Sequence, residues 1–97
     1  MQFLKRLREP IQRGEITTTI RIWQGPRVRE GGRYRLLEGW VVIDRIRSIS
    51  LTDISPEMAQ ACGFKGVVDL LKTAKHGLGQ TVYWIDFHYE SETGARG

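Results

Sequence analysis

Two helical segments stand between the third and the last of four strand-like segments, and this placement restricts the fold more than any other feature of the chain. Ser55-Pro56-Glu57 has the form of a helix start: serine as N-cap, proline in the first turn, and an acid near the positive end of the helix dipole. The spacing predicts a helix to about Cys62 that stops at Gly63. A second helix takes Val67 to about Lys75, buries Val67, Val68, Leu70, Leu71 and Ala74, and stops at Gly77. Three strands precede this pair, at Ile16 to Trp23, Arg33 to Leu37 and Trp40 to Leu51. One follows it, Thr81 to Tyr89, aromatic-rich in the manner of a strand in the middle of a sheet. At the start, Phe3, Leu4, Leu7 and Ile11 recur at roughly helical spacing, so residues 2 to 9 read as a short helix that Pro10 interrupts or ends. The order α-β-β-β-α-α-β implies an α+β class, a small sheet or barrel carrying helices. With 97 residues the chain fits a single domain, over residues 1 to 90, with the polar SETGARG end fraying as a tail.

The first strand has two unlike faces. Thr18, Ile20 and Ile22 point one way, and Thr17, Thr19, Arg21 and Trp23 the other, which is polar where a core strand would be apolar. Gln24 to Gly32 holds Gly25, Pro26 and the Gly31-Gly32 pair and reads as a loop that exposes Arg27 and Arg29. The second and third strands meet at a tight Glu38-Gly39 turn. In the third, Val42, Asp44, Ile46, Ser48 and Ser50 alternate with Val41, Ile43, Arg45, Arg47, Ile49 and Leu51. Neither face is uniformly apolar, which predicts a bulge or bend midway.

Charge narrows the partners. The chain carries 15 Lys+Arg against 11 Asp+Glu, a net +4, and the excess is lopsided: residues 1 to 47 hold eleven basic and five acidic side chains, the remainder four and six. All but Lys5 of those eleven are arginine, whose planar guanidinium suits bidentate phosphate contacts and stacking on bases. The lone Cys62 leaves no partner for an internal disulfide or a multi-cysteine zinc site, and reads as a small buried hydrophobe. The N-terminal residues lack the uninterrupted apolar run of a secretory signal, and no segment has membrane-spanning length. The expectation is a soluble, cytoplasmic protein with no membrane partner, no metal and no cofactor.

The densest chemistry lies in Gly14 to Arg21, where the period of a strand sets Thr17, Thr19 and Arg21 on one face about 7 Å apart per step. Two hydroxyls and a guanidinium can grip a phosphate, a carboxylate or a base edge; an ordinary exposed strand face would have the same composition. Trp23 shares this face, where a base could stack. The opening helix, Ile11-x-x-Gly14 and Thr17-x-Thr19-x-Arg21 together resemble the ASCH motif, in which a glycine precedes a Lys-Thr-x-Thr-x-Arg strand. Gly31-Gly32-Arg33-Tyr34, Leu51-Thr52-Asp53-Ile54, Gly63-Phe64 and Val82 to Phe87 follow in the order of that family's later landmarks, so the resemblance covers roughly residues 2 to 89. It implies a PUA-like small β-barrel, mixed and of about five strands, with flanking helices and a cleft between barrel and helices lined by the first strand. It also implies a partner that is RNA or a nucleotide-like small molecule.

The same family includes amidohydrolases acting on N4-acylated cytidines, whose set is similar to a lysine and a threonine of the first strand plus a glutamate before the second helix. Carried over, the threonine falls on Thr19, while the lysine falls on Ile16 and the glutamate near Cys62. Isoleucine cannot supply a charge or move a proton, and nothing near Cys62 in sequence lowers the pKa of its thiol, so a small hydrolase, amidohydrolase-like or a ribonuclease, would need Lys65 or Lys72 to reach Thr19 from the other side of the cleft. Gly63-Phe64-Lys65-Gly66 also has the form of a KH-type GXXG loop, in which Lys65 would meet phosphate; alternatively, its glycines end one helix and open the next. His76 stands at a helix C-terminus, where it can cap the last turn or meet a ligand. His88 shares a face with Trp84 and Asp86 and reads as a core or barrel-rim histidine. The ligand-binding set expected from the sequence is therefore Thr17, Thr19, Arg21, Trp23, Lys65, Lys72 and His76. A third reading, a protein-interaction adaptor, requires a large apolar surface patch and a closed cleft.

Overall fold

The computed structural model describes residues 1–74 and 80–92. The order is α1 (Lys5–Gln12), β1 (Thr18–Trp23), β2 (Arg33–Leu36), β3 (Gly39–Ile49), a 3-10 turn (Leu51–Asp53), α2 (Pro56–Ala61), α3 (Val67–Ala74) and β4 (Thr81–Ser91). The strands form a curled, half-barrel sheet of order β1-β4-β3-β2, so the aromatic strand does lie inside the sheet. Where a mixed sheet of about five strands was expected, the described residues form four, and every neighbouring pair is antiparallel. The reason is the path of β4: it enters between β1 and β3 running opposite to both, which leaves no adjacent parallel pair.

Each side of the sheet has its own core. Phe3, Leu7 and Ile11 pack on one face with Trp23, Val41, Ile43, Ile85 and Phe87. Ile54, Ala59, Cys62, Leu70 and Ala74 pack on the other with Ile20, Ile22 and Val82. β1 thus feeds both cores although it is an edge strand. The helix starts behave as their residues dictate. Ser55 Oγ accepts the Met58 N–H at 3.1 Å and Pro56 occupies the first turn. Gly63, at φ +94°, ends α2. A Cβ there would lie 2.6 Å from Leu7 Cδ2, so its bareness also lets α1 approach.

Several boundaries differ from expectation. α1 begins at Lys5, leaving Met1–Leu4 outside it, and passes through Pro10 to Gln12. No side chain caps its start. Burying Ile11, fully inaccessible one turn beyond Leu7, offsets the single backbone bond that proline removes. β1 is shorter than expected and leaves Thr17 exposed, although the Thr17 carbonyl still accepts the Phe87 N–H at 2.9 Å. The β2–β3 turn centres on Leu37-Glu38, with Leu37 at φ +52°. Gly39 opens β3 instead of making the turn, because the β4 backbone presses against it. The expected irregularity in β3 is present, as a register shift between Ile43 and Arg45 that leaves Asp44 as the extra residue.

Beyond the cover of α2 and α3, that face of the sheet is closed by charged cross-strand pairs. Arg47 lies 4.0 Å over the Trp84 ring and pairs with Asp86 at 2.7 Å. Arg33 and Arg35 flank Trp40 and pair with Glu90 and Glu92 respectively. His88 sits between Asp44 and Glu90, at 2.8 and 2.9 Å, on the rim of the sheet. Bonds to Glu90 and then Asp44 raise its pKa above the ordinary 6.5. A histidine whose folded pKa is raised contributes stability fully below its unfolded pKa and loses it as pH climbs through the folded one. The stability difference between the wild type and His88→Gln should therefore shrink as pH rises from about 6 to about 9, read as thermal midpoints across that range. A constant difference would show that the imidazolium pairs contribute nothing.

Candidate functional site

A cleft of about 170 Å³ opens beside β1. Its walls come from three places: Gln2, Phe3, Leu4 and Leu7 on one side, Phe64, Thr73 and Ala74 on the other, and Thr19, Ile20 and Arg21 along the bottom. Three consecutive strand residues cannot share one face of a sheet, since side chains alternate. The cleft therefore lies against the free edge of β1. Which backbone groups face it follows from the register. The bond from Phe87 N–H to the Thr17 carbonyl makes Thr17/Phe87 a hydrogen-bonded pair. Thr19/Ile85 and Arg21/Tyr83 then bond likewise, and the main-chain groups of Ile20 point away from β4. Ile20 N–H meets the Cys62 thiol, which leaves the Ile20 carbonyl turned outward.

Arg21 dominates the electrostatics. It is 9% exposed, yet no carboxylate among the described residues forms an ion pair with it. Its Nε donates to Thr19 Oγ1 at 3.1 Å and its Nη2 to the Gln2 carbonyl at 2.6 Å, while the guanidinium lies 4.9 Å from the Phe3 ring centre. Burial lowers its pKa to about 10, so it remains a cation at neutral pH. The extended Met1–Leu4 segment is thus held by Arg21, which explains why the helix does not reach back to Phe3. A second arginine closes the far end: Arg6 Nη1 donates to the Gly63 carbonyl at 2.7 Å and lies 5.2 Å over Phe64, joining α1 to the α2–α3 loop. Burial pushes the Cys62 thiol up to about 12, which keeps it protonated and unreactive at neutral pH.

Of the residues singled out in the sequence, the fold brings Thr19 and Arg21 together in the cleft. Thr17 is exposed and outside it. Trp23 is 3% exposed, with its ring tilted against Tyr83 at 5.9 Å within the core, and lines a neighbouring cavity instead of the cleft. Lys65 and Lys72 are exposed and line none of the cleft. The Lys65 backbone N–H bonds to Asp69 Oδ2 at 2.9 Å and Gly66 O accepts from Leu70 N–H, so the GXXG residues serve as helix ends. His76 lies outside the described residues. Among the described residues, the only hydrogen bond made by the Thr19 side chain is the one accepted from Arg21, which does nothing to draw off its proton. The Ile16 side chain packs on the core beside α1.

Sequence reasoning missed Gln2, Phe3, Phe64 and Thr73. Phe3 has the spacing of a helix's apolar side, and Phe64 and Thr73 meet Phe3 only through the packing of α1 against the α2–α3 unit. The chain matches no protein-family model, no curated protein and no solved structure.

Proposed function

We propose that this protein binds a nucleotide unit, free or within RNA, in the cleft beside β1, and that the curled sheet is the PUA-like barrel of an ASCH-type domain. The observation that carries the reading is Arg21, a buried cation at the floor of a cleft with no carboxylate among the described residues paired to it. Burying a charge costs folding free energy unless it is paired. A protein that keeps one beside an opening retains it for an anion or a carbonyl that arrives from outside. The cleft's shape supports a heterocycle in particular. Phe3 and Leu7 face Phe64 and Ala74 across it, apolar walls that suit the two faces of a ring, while its rim would meet the Arg21 and Thr19 donors and the outward carbonyl of Ile20. A volume of about 170 Å³ is below the usual range for drug-sized ligands, which favours one base over a larger molecule.

The test is a titration at low salt with ribonucleosides, their monophosphates and a short single-stranded RNA, followed by amide chemical shifts. Shifts concentrated at Thr19 to Arg21, Phe64 and Thr73 are expected, with RNA affinity falling as salt is raised, by a log–log slope of about −0.7 for each phosphate engaged. No binding at low salt, or an RNA affinity indifferent to salt, would overturn the reading.

A further inference from the structure

A second cavity, of about 310 Å³, adjoins the cleft and is lined by Met1, Gln2, Arg21, Trp23, Arg27 and Val28. It shares Gln2 and Arg21 with the cleft, so Arg21 forms part of the wall of both. Two of the six residues around it are arginine and none is acidic. Among the described residues Arg27 forms no ion pair, unlike Arg33, Arg35 and Arg47 on the sheet face. Only some of the N–H donors of Arg21 are committed, one from Nε to Thr19 and one from Nη2 to Gln2, and a guanidinium has more to offer. Trp23 and Val28, 3% and 7% exposed, give the cavity an apolar floor.

We propose that this cavity is the phosphate site of the bound nucleotide. The ring occupies the cleft, the sugar passes Gln2, and the phosphate lies between Arg21 and Arg27. The inference rests on the nucleotide reading above and adds to it which end of the ligand goes where. Two guanidinium forks converging on one cavity match the oxygens of a phosphate, to which charge-assisted, bidentate bonds are the strong ones. Arg27 stands on the loop after Gly25-Pro26 and is exposed, so it is free to close over the outer side of the anion. Arg21, held by Thr19 and Gln2, cannot move and sets its position. The ligand class is therefore a nucleoside monophosphate, whether a free molecule or one unit of an RNA chain.

The experiment compares, at low salt, each ribonucleoside with its 5′- and 3′-monophosphates, inorganic phosphate, and a mixed-sequence RNA hexamer, on the wild type and on Arg27→Gln. In the wild type one of the two monophosphates should bind at least about tenfold more tightly than its nucleoside. In Arg27→Gln that advantage should fall below about threefold, with nucleoside affinity and thermal midpoint unchanged. Nucleosides that bind as tightly as their monophosphates would overturn the phosphate site and leave the nucleotide cleft standing, as would an undiminished advantage in Arg27→Gln. Inorganic phosphate binding with no preference for any nucleotide would leave the anion site and remove the heterocycle. No binding by any probe would remove both. A hexamer tighter than the monophosphates identifies RNA as the source of the unit, and the reverse identifies a free nucleotide.

Discussion

Replacing Arg21 with methionine should weaken ligand binding by about a hundredfold or more and change the protein's stability little. The two effects separate because the same burial has opposite consequences for them. Bringing Arg21 from an ordinary pKa of 12.5 to about 10 corresponds to an unfavourable contribution on the order of 3 kcal/mol to holding it charged in the fold. Its bonds to Thr19 and the Gln2 carbonyl offset this, each by on the order of 1.5–3 kcal/mol net for a charged donor, so the two sides roughly cancel. Methionine keeps the volume, lies comfortably against Phe3, and leaves behind two acceptors close enough to the cleft to be hydrated. The expected stability change is within about 2 kcal/mol of zero, measured by denaturant unfolding. Binding of the preferred monophosphate should weaken by about a hundredfold or more, because it loses its one buried positive partner. A variant that loses several kcal/mol of stability would show that Arg21 is a structural tie for the N-terminal segment. One that still binds would remove it from the site.

Gly39→Ala should be among the most destabilising single changes in the chain, by about 3 kcal/mol or more. A Cβ at this position would stand 2.2 Å from the Glu90 carbonyl oxygen and 2.5 Å from Tyr89 Oη. The hydroxyl could swing aside at the loss of its bond to the Leu36 carbonyl. The Glu90 oxygen cannot, because it belongs to the central strand, paired with β3 at Trp40/Glu90 and Gly39/Ser91. Relief requires the end of β3 to lift from β4, which breaks pairing where β2 is also anchored. Thermal unfolding reads the loss. A stability loss below about 1 kcal/mol would mean that the hairpin end is slack.

What could be read from residue types alone was whatever depended on neighbours in sequence. Ser55 and Pro56 announced a helix, the broken alternation around Asp44 announced a bulge, and the hydroxyl-and-arginine face of β1 contained Thr19 and Arg21, which line the cleft. What could not be read depended on contacts distant in sequence. Nothing near Phe3 says that it leaves the helix to lie on Arg21, a residue 18 positions later whose Nη2 takes the Gln2 carbonyl 19 positions away. Lys65 and Lys72 looked suitable as cations of the second helix. The rotation of α3 turns Thr73 and Ala74 inward instead and leaves Lys72 in solvent, a phase that is set by Leu70 entering the core. The expectation of a fifth strand and of parallel pairing came from the family resemblance, whereas local patterning alone called for four strands.

The position of β4 has a consequence for how the molecule comes into being. The strand that holds the sheet together follows every other strand in sequence, and the Thr18 hydroxyl bonds to the Ile85 carbonyl 67 residues away. Until β4 inserts, β1 has no hydrogen-bonded neighbour on either side. Loop closure over such a span must come before any contact rewards it, which makes this step the slow one. On a ribosome, the hairpin of β2 and β3 and the pair of helices can form early, while the cleft waits for β4. On the nucleotide reading, ligand affinity is accordingly a property that only the completed fold acquires, and a chain lacking β4 would leave β1 an unpaired edge open to strand exchange.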